Sequence, residues 1–182
     1  MTPFYTAKGD LGDTGYLGVG RLSKASLRIE AVGAVDEASA ALGLARAFTE
    51  DELSHKIILK VQKKLYELMT DLSAAPDVAE KFDKIKAADV QALEADIETI
   101  ESLVALPREF IVAGESLASA ALAVARTVVR RAERRAVALL EEKEIQKPIL
   151  VTYLNRLSSL IFILEIYELS LLEIEPRLAK EE

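Results

Sequence analysis

The chain has 182 residues, 51% of them hydrophobic, which is enough to build one sizeable core in a single domain. Its 30 acidic and 23 basic residues give a net charge of -7, which would repel nucleic acid and anionic membrane except where basic residues cluster, and we expect neither as a partner. No cysteine and only one histidine are present, which excludes a disulfide framework, a thiolate zinc site and a multi-histidine metal site. The N-terminus has no apolar signal core, so we expect a soluble, cytoplasmic protein.

A glycine-rich segment, residues 6–23, opens the chain, with glycines at positions 9, 12, 15, 18 and 20. We interpret it as a loop without helix or strand, and a loop this long in a compact domain is usually functional or disordered. Glycine-rich backbone can wrap phosphates through its N–H groups, which favours function. Neither common nucleotide motif is present, because no Gly-Lys-Ser/Thr closes the loop and the Gly18-Val19-Gly20 stretch has no third glycine.

Beyond this loop, apolar residues recur at spacings of three and four, which predicts helices and no strands. Pro76 and Pro107 mark connections, and Pro148 fits the first turn of the last helix. The predicted helices cover about 24–48, 50–74, 85–104, 115–142 and 148–172.

The predicted fold is therefore all-α, an up-and-down five-helix bundle with a glycine-rich N-terminal loop. We expect one domain over residues 1–182. Its parts are a nucleotide-binding loop at 1–23, the bundle at 24–172 and a tail at 173–182, of which residues 176–182 are polar enough to fray.

The fourth predicted helix carries five arginines between positions 126 and 135. At about 100° per residue, four charged side chains fall within one arc, while Arg131 and Arg135 point elsewhere. Like charges at a spacing of four need anionic partners, either carboxylates of this chain or a ligand. A solvated face with salt bridges and a phosphate-binding surface both remain open. We call the four side chains of this arc the arginine stripe: Arg126, Arg130, Glu133 and Arg134.

Two further polar positions lie in apolar helices. Asp36 would be costly to bury unpaired, so it either pairs with Arg126 or faces water at the bundle edge beside Glu37. Asn155 is unfavourable inside a helix, so it either hydrogen-bonds a neighbouring helix or contacts a nucleotide or metal-bound water. The single histidine, His55, is given no role.

Three ordered motifs span nearly the whole chain. T-x-x-G-D-x-G-x-T at 6–14 precedes Lys24 and EAVGAVDE at 30–37, R-x-x-x-R-R-A-E-R-R covers 126–135, and YLNRLS covers 153–158. Together they resemble the PduO-type ATP:cob(I)alamin adenosyltransferases, and Phe110 opens a segment similar to the family's F-x-L-P-G-G. The chain departs from the family pattern at Ser39 for Asn, Ala113 for Pro, Glu115 for Gly and Ser159 for Asp.

The resemblance implies a homotrimeric five-helix bundle with active sites between subunits. ATP and Mg²⁺ would bind there, and the cobalt of cob(I)alamin would attack the ribose 5′-carbon and release triphosphate. Such a protein supplies positioning and charge neutralisation and needs no catalytic base. A cob(II)alamin reductase is a further partner that this reaction would use. The alternatives are a non-catalytic nucleotide- and corrinoid-binding bundle and a plain protein-interaction bundle.

The resemblance also assigns residues. Phe110 would occupy the lower face of cobalt, although an aromatic residue at a loop exit is ordinarily a core anchor, and Arg126 and Asp36 would form an ion pair that shapes the site. No residue is assigned as a metal ligand. The residues expected to bind ATP are Thr6, Gly9, Asp10, Gly12, Thr14, Lys24, Arg130, Glu133, Arg134 and Asn155.

Overall fold

The computed structural model describes residues 4–180, so the first three residues of the predicted loop and the last two of the predicted tail lie outside the described residues. The predicted all-α five-helix bundle is confirmed, and its helix boundaries are close to those expected from the sequence. A short 3₁₀ turn, Ala79–Phe82, lies between the second and third helices. The helices are α1 Leu27–Phe48, α2 Glu52–Ser73, α3 Ala87–Glu101, α4 Leu117–Glu141 and α5 Ile149–Leu171.

Side-chain caps fix where three of the helices begin. Ser26 accepts a hydrogen bond from the first turn of α1, and Asp51 accepts one from the Ser54 N–H of α2 at 2.8 Å. At the start of α4, Ser116 and Ser119 each accept from the other's backbone N–H at 3.1 Å. These bonds satisfy N–H donors that have no partner inside a helix.

Helix α4, which carries the arginine stripe, packs between two other helices. α1 packs against α2 and α4, α4 packs against α1 and α5, and α3 packs against α5. Ala125, Ala132 and Ala136 of α4 are completely buried, and their small size lets neighbouring backbones approach closely. As a result, one side of α4 faces α1, and another side lies beside α5.

Helix α5 forms much of the core. It is long and apolar enough to cross a membrane by length and composition, but 61% of its most apolar window is buried within the bundle, as in the core helix of a soluble protein. Tyr153, Leu154 and Leu157 are among its buried residues. Its apolar character is therefore explained by packing against α3 and α4.

The glycine-rich segment is more regular than expected, because it contains a two-stranded antiparallel hairpin. Strand β1, Asp13–Gly15, pairs with strand β2, Arg21–Ser23. The Arg21 guanidinium donates to the Asp13 carboxylate at 2.9 Å and to the Lys8 carbonyl at 2.8 Å. Backbone pairing and this one ion pair hold the hairpin together, so the strands lack the apolar alternation by which a strand is recognised in a sequence.

The N-terminal segment and the tail, as far as the structure describes them, are tied to the rest of the protein by backbone hydrogen bonds. The Leu17 N–H donates to the Ser73 carbonyl at 3.0 Å, which attaches the hairpin to the end of α2. The tail was expected to fray, but the Val112 N–H donates to the Arg177 carbonyl and the Ala179 N–H donates to the Phe110 carbonyl, both at 2.8 Å. The polarity of the tail's side chains gave no sign of this backbone pairing.

Candidate active site

The side of α4 that faces α1 has its positive charges neutralised within the chain. Arg131 forms an ion pair with Glu37 of α1, and Arg135 forms one with Glu30 at 3.2 Å. The pairing also shows that α1 and α4 run antiparallel, because the earlier residue of α1 meets the later residue of α4. As predicted, Arg131 and Arg135 point away from the arginine stripe.

The arginine stripe itself offers open cations. Arg130 and Arg134 are exposed, and within residues 4–180 neither side chain has a carboxylate within 4.0 Å. The Arg134 guanidinium donates to the Arg130 carbonyl at 3.2 Å. Two adjacent guanidinium groups without carboxylate partners form a surface suited to an anion, and their fork geometry suits phosphate in particular.

Asn155 lies beside these arginines and links two helices. Its amide Nδ2 donates to Glu133 Oε1 at 2.9 Å, and its Oδ1 accepts from Arg156 at 3.1 Å. The helix-to-helix interpretation of Asn155 is therefore confirmed for the single chain. Glu133 is partnered by Asn155, and within residues 4–180 it forms no ion pair with Arg130 or Arg134.

A pocket of about 290 Å³ opens between α4 and α5 next to the stripe. The Arg126 guanidinium lines it and lies 5.8 Å from the centre of the Phe162 ring, within the range of a cation–π interaction. The Nε atom of this guanidinium is 4.0 Å from Oε2 of the buried Glu165. Burial raises the pKa of Glu165 to about 7, and the Arg126 charge partly opposes this shift. The complete lining is Leu106, Arg126, Arg130, Ser158, Ser159, Phe162 and Ile163.

The predicted ion pair between Asp36 and Arg126 is not formed within one chain. Asp36 is exposed on α1, as in the alternative interpretation of that residue, whereas Arg126 faces Phe162 and Glu165 of α5. The physical reason is helix geometry, since the α1-facing side of α4 is occupied by Arg131 and Arg135. A contact between Asp36 and Arg126 of different subunits stays a prediction.

The loop residues expected to bind ATP lie together in the N-terminal segment. Lys24 Nζ donates to the Gly9 carbonyl at 2.9 Å, and Gly12 has a φ of +84°, which favours glycine. Thr14 donates to its neighbour's carbonyl at 3.4 Å, and Thr6 and Asp10 are exposed.

The two halves of the predicted ATP site are not joined in the single chain. Within the described part of the chain, no hydrogen bond or ion pair connects residues 6–24 to the arginine stripe or to Asn155. Lys24 instead lines a small pocket together with Glu37 and Arg131, on the side of α4 that faces α1. A complete site therefore needs a second chain or a movement of the loop.

The interpretation of Phe110 as a core anchor is wrong, because 88% of the residue's surface is exposed. Its backbone is nevertheless held, since the Phe110 carbonyl accepts a hydrogen bond from the tail. An exposed aromatic ring on an anchored backbone is available for a ligand.

Sequence reasoning missed three residues. Two of them, Phe162 and Glu165, lie beside Arg126, and the third, Arg28, is only 3% exposed. The Arg28 guanidinium donates to the Leu72 carbonyl at 2.7 Å and to the Glu144 carbonyl at 2.5 Å, which connects α1 to the end of α2 and to the α4–α5 connection. A charged residue among apolar neighbours in the first helix was the available signal in the case of Arg28. Residues 4–180 contain no group of three or more His, Asp or Glu side chains that could hold a metal ion.

Comparisons with known proteins agree on one family. The sequence profile of the cobalamin adenosyltransferases matches residues 4–168. A corrinoid adenosyltransferase of Bacillus subtilis is 38% identical over 164 residues, covering 87% of this chain and 82% of the relative. The corrinoid adenosyltransferase PduO of Citrobacter freundii is 36% identical over 161 residues, or 88% of this chain, but the match spans only 48% of that longer relative.

Solved structures agree with the sequence matches. A phenylalanine-to-histidine variant of a PduO-type ATP:corrinoid adenosyltransferase from Lactobacillus reuteri, complexed with cobalamin and ATP, superimposes with a TM-score of 0.89. It is 28% identical, and the match covers 98% of this chain and 97% of that chain. The fold, the ordered motifs and the open arginine stripe are thus found together in a chain that belongs to the cobalamin adenosyltransferase family.

Proposed function

We propose that this protein is an ATP:corrinoid adenosyltransferase, which transfers the 5′-deoxyadenosyl group of ATP to the cobalt of cob(I)alamin or a related corrinoid. The observation that carries the proposal is the pair of open guanidinium groups, Arg130 and Arg134, on a helix whose other arginines are paired. Membership of the family and the complexes of its relatives with ATP and cobalamin support the same assignment.

The proposed reaction is a displacement at the ribose 5′-carbon. Cobalt(I) supplies the electron pair for the new cobalt–carbon bond, the bond from that carbon to the triphosphate oxygen breaks, and triphosphate leaves with its electron pair. Cobalt is formally oxidised from +1 to +3, and no proton has to move. The protein therefore needs to orient the reactants and stabilise the leaving negative charge, which matches a site rich in arginine and without a nucleophile–base pair.

Arg130 and Arg134 are proposed to bind the triphosphate, with the N-terminal segment closing over it. Guanidinium groups form strong, often bidentate, hydrogen bonds with phosphate oxygens. Glu133 is the carboxylate nearest in sequence to both arginines. Mg²⁺ is proposed to arrive as MgATP, since this ion is commonly held by phosphate oxygens and only one or two carboxylates. The residues proposed to close the site are Thr6, Gly9, Asp10, Gly12, Thr14, Lys24 and Asn155.

The site is proposed to lie between the subunits of a cytoplasmic homotrimer. Two features support this: the loop and the stripe are not connected in one chain, and exposed apolar residues lie where α1 ends and α4 begins. In an antiparallel helix pair these regions are adjacent, and a neighbouring subunit would cover their exposed apolar side chains. They are Leu44, Phe48, Leu117 and Val124.

The same neighbour would bring Asp36 to Arg126. The exposed ring of Phe110 is proposed to cover the lower face of the corrinoid, where it would exclude water and the corrinoid's own base from cobalt. A four-coordinate cob(II)alamin formed in this way is easier to reduce, because no axial donor opposes the incoming electron. A separate cob(II)alamin reductase is the proposed source of that electron.

One anaerobic assay tests the reaction. The protein is mixed with ATP and chemically reduced cobalamin, and absorbance is followed for formation of the cobalt–carbon bond. Turnover that requires ATP supports the proposal. Binding of ATP and cobalamin without turnover would instead favour the non-catalytic bundle.

Mixing two defective variants tests the shared site. Lys24→Ala removes a loop cation and Arg130→Ala removes a stripe cation, so each homotrimer should be weak. If loop and stripe come from different subunits, roughly a quarter of the sites in a random equimolar mixture regain both cations, and turnover rises above that of either variant. A mixture no more active than its components, or an active monomer in light scattering, would contradict the interfacial site.

A further inference from the structure

Glu165 is a buried carboxylate to which the proposed reaction assigns no role. Only 1% of its surface is exposed, and within residues 4–180 its Oε2 has no hydrogen-bond partner. The nearest cation among these residues is Arg126, whose Nε lies 4.0 Å away and is also buried without a hydrogen-bond partner there. A buried, unpaired donor therefore stands opposite a buried, unpaired acceptor.

Such an arrangement is costly for folding. A buried carboxylate without hydrogen bonds loses its hydration and regains little from a loose ion pair, and buried polar atoms normally find partners. An apolar residue at position 165 would pack in the core without this cost. The presence of Glu165 therefore suggests a purpose other than stability.

The position of the Arg126 guanidinium, of which Nε is part, indicates that purpose. The group lines the pocket of about 290 Å³ beside Arg130, and it lies over the Phe162 ring. At the rim of the same pocket, Ser159 stands where the family motif has an aspartate. Within residues 4–180, Glu165 is the carboxylate in ion-pair range of Arg126.

We infer that Glu165 is a positioning residue. Its carboxylate attracts the Nε of Arg126 and thereby fixes the direction in which the guanidinium points into the pocket. This inference rests on the proposed function. The 4.0 Å separation is about 1 Å longer than a hydrogen bond. A small shift of Arg126 towards Glu165 when ligand fills the pocket would satisfy both buried atoms, so the pair tightens on binding.

The ionisation of Glu165 makes this role testable through pH. Its pKa is raised by burial to about 7, and Arg126 from α4 is the charged group that opposes the shift. The acidic groups on α3 near this helix, Glu94 and Asp96, pair instead with Arg156 and Lys60. Above pH 7 Glu165 is ionised and attracts Arg126, and below pH 7 the attraction is lost.

The experiment compares Glu165→Gln with the parent, and Glu168→Gln is the matched control. Glu168 is also buried on α5, but it accepts a hydrogen bond from Thr49, away from the pocket. At pH 8 we expect Glu165→Gln to lower kcat by on the order of tenfold while KM for ATP stays within about twofold. The parent's kcat should fall as pH drops below about 7, whereas the kcat of Glu165→Gln should be flat there. Glu168→Gln should keep the parent's kcat and pH profile.

A second readout needs no substrate. The folded-state pKa of Glu165 lies above its ordinary value of 4.5, so the parent loses stability as pH rises from about 4.5 to about 7. Glu165→Gln should therefore have a higher midpoint of urea unfolding than the parent at pH 8, and this advantage should shrink at pH 5. A variant that is more stable and yet slower has lost positioning, because a merely structural role would move both properties in the same direction.

The outcomes separate the inference from the proposed function. If the parent shows no turnover, the proposed function fails, and coupling between Glu165→Gln and Arg126→Ala in urea unfolding still tests the contact. If the parent is active and Glu165→Gln equals it in kcat and pH profile, the inference is overturned. Glu165→Leu covers the case in which the glutamine variant does not fold, and a leucine variant with parental kcat overturns the inference as well.

Discussion

The two sides of helix α4 present the same residue type in opposite states. Towards α1, Arg131 and Arg135 meet carboxylates of the same chain, whereas on the arginine stripe Arg130 and Arg134 meet none among the described residues. Arg130 and Arg131 are nevertheless adjacent in the sequence. Whether an arginine is structural or binds a ligand therefore depends on the carboxylates around it and not on its motif alone.

The largest effect is expected from changing Phe110, because this residue is proposed to act on the corrinoid, whereas the arginine stripe is proposed to act on ATP. In Phe110→Ala, water or the corrinoid's base should return to cobalt, so the spectrum of four-coordinate cob(II)alamin that we expect for the parent with ATP should be lost. Turnover from cob(II)alamin should fall more than turnover from pre-reduced cob(I)alamin, with ATP affinity unchanged. Tyr66→Ala, which removes another exposed aromatic ring, is the control. An unchanged four-coordinate spectrum in Phe110→Ala would remove this residue from the corrinoid site.

The next effect tests the open side of α4 directly. Arg130→Ala should weaken ATP binding by about 1.5 to 3 kcal/mol, the usual loss for a hydrogen bond to a charged group. Its urea unfolding should match the parent, because Arg130 has no carboxylate partner in the described chain. Isothermal titration of ATP gives the affinity, with Arg131→Ala as the matched control. Equal losses of ATP affinity in the two variants would show that the two sides of α4 do not differ in ATP binding.

A double-mutant cycle tests whether the stripe gains a carboxylate from a neighbouring subunit. Asp36→Asn and Arg126→Ala should each damage turnover, and the double variant should lose about 0.5 to 3 kcal/mol less than the sum of the two. Each single change leaves an unpaired charge, which explains the coupling. Because the two side chains face different directions in one chain, coupling requires contact between subunits. Additive losses would show that they do not meet.

The smallest effect is expected on the paired side. Arg135→Ala should lower the free energy of unfolding by less than about 1 kcal/mol, since both members of its ion pair are about half exposed and screened by water. ATP affinity should not change. Chemical denaturation and ATP titration of the same preparation measure both, and a clear loss of ATP affinity would extend the ligand surface to the α1-facing side.

The helices and the division of the arginines on α4 could be predicted from the sequence, because apolar residues recur with the period of a helix. The five helices were placed close to their observed boundaries; the largest differences, at the start of α1 and the end of α3, fall where capping rather than periodicity decides. The division of the arginines also followed from about 100° per residue. Arg131 and Arg135 were correctly separated from Arg130 and Arg134 before any partner was known.

The remaining features depend on tertiary contacts that periodicity does not encode. The hairpin is held by backbone pairing and by Arg21, which has no pattern of its own. Asp36 had an apolar neighbourhood in sequence, yet the rotation of α1 leaves it exposed. Glu165 was hidden for the opposite reason, since a single charge at the end of an apolar run reads as a helix flank until the packing of α4 against α5 is known.

The antiparallel packing of α4 between α1 and α5 has a consequence for length variation in this chain. One residue inserted ahead of Arg126 would turn every later side chain by about 100°, so the residues now open would rotate away from the pocket. An insertion of four residues, slightly more than one turn, would restore the direction to within about 40° but shift it by about 6 Å along the axis. Natural insertions and deletions should therefore accumulate in the connections on either side of α4, while the helix itself keeps its register.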